Sequence, residues 1–138
     1  MRAFAVLASS ILLAGCPGAG EPERSDSFSA IAPEETVRFT GTEPFWHGRI
    51  DGGQALYATP DNQDGIRFPV RRFSGLNGAG FSGDMQGTSF DLTVTPGTCS
   101  DGMSDRSYPY TATLRIADET REGCAWTDRQ PFAEQAVQ

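Results

Sequence analysis

His47 is the only histidine in the 138-residue chain, so chemistry that needs two imidazoles, as paired metal ligands or as a relay, is excluded. Lysine is absent altogether: all 11 basic residues are arginine, a bias of composition, and 18 carboxylates stand against them. The resulting charge of −7 repels phosphate backbones and anionic head groups, so nucleic acid is not an expected partner. No apolar run reaches the roughly 20 residues that a permanent membrane-spanning helix needs. Helical spacing with caps is not sustained anywhere, and the best helical candidate is the short stretch from Pro131 to Val137. Nucleophile-elbow sequences are also missing, and His47, following Trp46 on a strand, is expected to be structural rather than a base for Ser100 or Ser104. The chain is therefore not expected to be an enzyme or to need a cofactor.

What is present begins with a leader. Met1 and Arg2 form a minimal positive region, Ala3 to Leu13 are apolar, and Leu13-Ala14-Gly15-Cys16 matches the lipobox of bacterial lipoproteins. In proteins with that motif the cysteine is acylated and becomes the new N-terminus. Residues 1–15 are read accordingly as a signal peptide and Cys16 as the lipidation site, which makes the membrane a partner through two or three acyl chains. Pro17 follows, with no aspartate to retain the protein at the inner membrane, so the expected address is the outer membrane, facing the periplasm. Removal of Arg2 with the leader leaves the mature chain at −8. Residues 16–35, rich in Pro, Gly, Glu, Ser and Asp, read as a flexible tether of about 20–25 Å average reach. One domain, expected to be monomeric, occupies residues 36–138.

Of the three cysteines, lipidation removes Cys16 and leaves Cys99 and Cys124 as a pair. An exported protein meets an oxidising compartment, and the pair reads as a disulfide. A zinc site built from Cys99, Cys124, His47 and Asp101 lacks the close ligand spacings of known zinc motifs.

Apolar and polar residues alternate through most of the domain, with Phe90, Leu92 and Val94 on one face and Ala112, Leu114 and Ile116 on another. Ile66, Phe68 and Val70 continue the pattern, with Pro69 suggesting an edge or a bulge. Asp51-Gly52-Gly53 and Gly83 to Gly87 read as turns, and Asp61 to Gly65 as a hairpin loop. Seven or eight short strands without a long crossover predict an all-β antiparallel meander, closed or nearly closed into a barrel, with Thr36 to Thr40 pairing near Cys124. A two-sheet sandwich is the alternative.

The ordered set Gly41-Thr42-Glu43-Pro44-Phe45-Trp46, Cys99 to Asp105 followed by Tyr108-Pro109-Tyr110, and Gly123-Cys124-Ala125 resembles a family of small bacterial lipoproteins of undetermined function, in the neighbourhood of the META domain of HslJ-like proteins. The resemblance covers most of residues 36–126. It implies a lipoprotein β-domain with a paired-cysteine loop, and it brings no substrate, cofactor or catalytic residue.

The candidate binding residues are Trp46, Ser100, Asp101, Ser104, Asp105 and Tyr108. For Trp46 with Phe45 the choice lies between an exposed aromatic platform and a core plug. For Asp101, Ser104 and Asp105 it lies between calcium ligation and turn chemistry, and the spacing lacks the alternating oxygens and terminal Glu of a calcium loop. Arg71-Arg72 beside Phe73 is a small basic spot, either a solvated charge pair or a contact for an anionic partner. The expected function is that of a non-enzymatic envelope lipoprotein binding a protein or glycan partner. The alternatives are a lipocalin-like carrier of a small ligand and a hydrolase inhibitor acting through the 99–107 loop.

Overall fold

The computed structural model describes residue 15 and residues 27–135. Residues 1–14 of the leader, residues 16–26 with the expected lipidation site Cys16, and residues 136–138 lie outside the described residues. The strands are β1 Val37–Thr42, β2 Phe45–Asp51, β3 Gln54–Thr59, β4 Asn62–Ser74, β5 Ala79–Met85, β6 Thr88–Cys99, β7 Arg106–Ile116, β8 Glu119–Thr127 and β9 Ala133–Glu134. Each of β1 to β7 pairs antiparallel with its successor, and β8 returns to β1 in the register Val37↔Thr127 to Thr40↔Cys124. The result is a closed eight-stranded up-and-down barrel, which leaves no free edge along the shared length of those eight strands.

The expected alternations define the interior. Phe90, Leu92, Val94, Ala112 and Leu114 are all 1% exposed or less. Phe90 is the centre of an aromatic cluster, with the rings of Phe68, Tyr57 and Phe39 at 4.9, 6.0 and 6.3 Å. Small barrels are commonly filled this way by their own side chains. Here that filling occupies the interior around Phe90, so of the lipocalin-like alternative, which could use the mouth or the interior, the mouth is the part left open.

Glycine-bearing turns join the strands. Gly52 and Gly53 have φ of +55° and +79°, as the tight β2–β3 hairpin demands. The β5–β6 turn is made by Gln86 and Gly87, while Gly83 and Asp84 of the expected turn belong to β5. Asn62 to Gly65 likewise lie in β4, not in a loop, and the turn before them is Pro60-Asp61. Pro69 is neither at an edge nor at the bulge, which falls between Tyr57 and Thr59. It stands where β4 leaves β3, at Gln54↔Pro69, and takes up β5, at Val70↔Gly83, so its missing N–H interrupts neither ladder's interior.

Both ends of the chain depart from expectation. Residues 27–35, read as the end of a free tether, pack across one end of the barrel, where Ile31 is fully buried. Arg72 donates to the carbonyls of Ile31 and Ala32, and Gln130 Nε2 donates to the carbonyl of Ala30 at 2.8 Å. Glu35 is buried as well, accepting from the Ala32 amide and, at 2.8 Å, from the Thr127 hydroxyl. At the other terminus the helical candidate is corrected: Ala133 and Glu134 pair with Ser107 and Arg106 as a short strand. The first residues of β7 overhang the end of β8, whose pairing starts at Tyr110, and this overhang decides the conformation there, in a segment too short to sustain a helix alone.

Candidate functional site

The 99–107 loop is the tip of the β6–β7 hairpin, and it folds back over the outside of the barrel. The register slips between Pro96 and Cys99, after which Cys99 pairs with Tyr108 and forms the expected disulfide with Cys124 of β8. Beyond the disulfide the carbonyl of Asp101 accepts from the Thr42 hydroxyl of β1 at 3.4 Å. The other side of this flap rests on an aromatic trio outside the main core: Tyr108, Trp126 and Phe132, with ring centres 5.3 to 5.5 Å apart. Arg106 lies over the Phe132 ring at 4.3 Å.

Asp101 organises the flap from within. Its Oδ1 accepts from the amides of Met103 and Ser104 at 2.9 and 2.8 Å, and its Oδ2 from the hydroxyls of Ser104 and Tyr108 at 2.7 and 3.2 Å. Those donors, the Ser104 hydroxyl foremost, hold its carboxyl down at about 2. Burial pushes the Tyr108 phenol above its usual range, and the Asp101 charge adds to that. Ser100 Oγ accepts from the Gly102 amide, and the Asp105 carbonyl from the Gln135 amide. The geometry is therefore that of a self-bonded turn, whose carboxylate oxygens are already engaged by protein donors.

Five of the six candidate binding residues, Ser100, Asp101, Ser104, Asp105 and Tyr108, thus sit together on the flap. Trp46 does not join them. It is 1% exposed and packs 5.8 Å from Phe39 inside the barrel, so as a ligand platform it is corrected to a core plug. Strand alternation separates the pair: with Trp46 turned inward, Phe45 must turn outward, and it is 50% exposed.

Phe45 marks a second feature, at the end of the barrel opposite the N-terminal segment. The turns Thr42–Phe45 and Thr59–Asp61 enclose a cleft of about 640 Å³ that includes Arg121. Glu43 and Asp61 bring carboxylates to it, Pro44 and Pro60 apolar surface. The Arg121 guanidinium is held by the Tyr57 hydroxyl at 2.7 Å and by Glu119 at 2.7 Å. Burial pushes the Tyr57 phenol up, partly offset by Arg121. A neighbouring hollow of about 460 Å³ continues past Phe45 to His47 and Gln63. Sequence reasoning passed over Arg121, although its signal was available: Thr127, Ala125, Gly123 and Arg121 share one strand parity, which aims the arginine toward the mouth.

The site thus belongs to a closed, side-chain-filled barrel with a disulfide-stapled flap and an amphipathic cleft at its mouth. Comparison with protein-family models, with curated proteins and with solved structures finds no match in any of the three.

Proposed function

We propose that the chain is a non-enzymatic bacterial lipoprotein, anchored through Cys16 and presenting its barrel to the periplasm, where the mouth cleft binds an envelope protein or glycan. The lipobox at Leu13 to Cys16 and the resemblance to META-like lipoproteins support the anchor. The observation that carries the binding role is Phe45. A half-exposed phenylalanine beside two prolines, two carboxylates and an arginine combines apolar contact area with directional polar groups, as recognition surfaces do. No catalytic step enters this reading.

One observation favours a second reading, inhibition of a hydrolase by the flap. Met103 is 67% exposed at the tip of a loop pre-ordered by Asp101 and the disulfide, and pre-ordering is what a loop inserted into another protein's cleft requires. A photo-crosslinking phenylalanine analogue placed at position 45, and separately at 103, distinguishes the two in cells. Adducts from 45 are expected; adducts from 103 alone would transfer the function to the flap.

A further inference from the structure

The end of the barrel that receives the N-terminal segment carries two large apolar side chains open to solvent. Phe73, near the end of β4, is 57% exposed, and Leu76, in the loop to β5, is 65% exposed. Phe73 has a partial structural reason, since its ring lies over Gly80, where a Cβ would fall 2.0 Å from it. Leu76 has none. Its loop is also where the incoming chain is held: the Phe28 amide donates to the Gly75 carbonyl at 2.8 Å, and Phe28 packs at the margin of the core. On the row of β4 that ends in Phe73, Arg67 and Arg71 are exposed and not ion-paired among the described residues, but Asp84 and Asp91 line the hollow beside Arg71, so the apolar pair rather than a basic patch marks this edge.

We propose that this Phe73–Leu76 edge is a membrane-docking surface, its two apolar side chains resting in the head-group layer of the bilayer. The inference rests on the reading of Cys16 as lipidated. Residues 16 and 27 are eleven positions apart, and eleven residues reach at most about 40 Å when fully extended. The anchor thus keeps this end of the barrel beside lipid, and a contact too weak to hold a free protein becomes an intramolecular one at high effective concentration. That proximity is why the occupant is the bilayer rather than a protein. Docking would also orient the barrel, because the Thr42–Phe45 and Thr59–Asp61 turns lie at its other end. The Phe45 cleft then faces away from the membrane.

The test uses lipidated protein in vesicles of phosphatidylethanolamine and phosphatidylglycerol whose acyl chains are brominated near the head group. Two variants each add one tryptophan to the two native ones: Leu76→Trp on the edge and Met103→Trp on the flap. Leu76→Trp is expected to lose emission in brominated relative to ordinary vesicles, and Met103→Trp to behave as wild type. Equal behaviour of the two variants, in protein that floats with the vesicles, overturns the docking surface and leaves the anchor standing. Protein that fails to float overturns the anchor and the docking surface together. As a second readout, vesicles should slow amide exchange in residues 74–79 of the wild type, and a Phe73→Ser/Leu76→Ser variant should lose that slowing while still floating.

Discussion

The indole of Trp46 occupies the space that Gly41 leaves empty. The two residues are register partners across β1 and β2, and a Cβ on Gly41 would fall 2.1 Å from the indole Nε1. Gly123 on β8 completes the seat, because a Cβ there would lie 3.0 Å from Cζ2 of the same ring and 2.1 Å from the Thr40 carbonyl oxygen. Two of the sequence motifs, 41–46 and 123–125, therefore meet at one point in the barrel wall. Their joint effect is to sink Trp46 into the core and leave Phe45 on the rim.

Gly123→Ala is accordingly expected to lower stability by about 1–3 kcal/mol, as overpacking against backbone does. Urea unfolding measures it. Unfolding indistinguishable from wild type would show that Gly123 is not part of the Trp46 seat.

The Asp101 carboxyl is held below the ordinary 3.8, at about 2, by groups that bond its charged form. A depressed folded value means that the charged form stabilises the flap fully above the unfolded value, and that this contribution fades as the pH falls from about 4 towards 2. The amide resonances of Met103 and Ser104 should follow that titration. In Asp101→Asn the pH dependence should vanish and exchange at both amides should quicken at neutral pH. A midpoint near 4 in the wild type would mean that the bonds to Asp101 do not hold in solution.

Cys99 and Cys124 are 25 residues apart, and closing a loop of that length stabilises by about 3.5 kcal/mol on the chain-entropy estimate. A Cys99→Ser/Cys124→Ala variant should lose roughly that amount and still fold, since the barrel ladders do not depend on the flap. Loss of the strand signature on reduction would contradict this, because it would make the disulfide a condition of the fold rather than a staple on its outside.

Phe45→Ala and Trp46→Ala separate binding from stability at adjacent positions. Trp46→Ala empties a packed core site and should cost about 3–5 kcal/mol. Phe45→Ala should stay within about 0.5 kcal/mol of wild type, as surface changes usually do, and should abolish the adduct formed by the crosslinker when it is moved to His47. An undiminished adduct would remove Phe45 from the binding surface.

Much of the fold was legible because a half-buried strand writes its faces in alternate residues: Phe90 to Val94 and Ala112 to Ile116 needed no other information. Closure and the disulfide followed from counting strands and cysteines. The packing of residues 27–35 over the barrel end was not legible, since Phe28 and Ile31 stand alone as large apolar residues among Ser, Ala, Pro and Glu, and only the opening Ile31 fills and the Arg72 donors fix its place. The outward fold of the flap was hidden for a similar reason: Tyr108 and Trp126 look like core residues, and they are covered by Phe132 and by one another, outside the main aromatic cluster. At the mouth, the 45–46 pair was visible as a motif, but only the strand's parity says which ring is buried.

The intact mass of the membrane-extracted protein, taken with and without reduction before thiol alkylation, tests the anchor and the staple at once. The expected result is a chain beginning at Cys16 with a lipid-sized increment, no alkylation before reduction, and alkylation at Cys99 and Cys124 after it. An unlipidated chain that alkylates without reduction would contradict it.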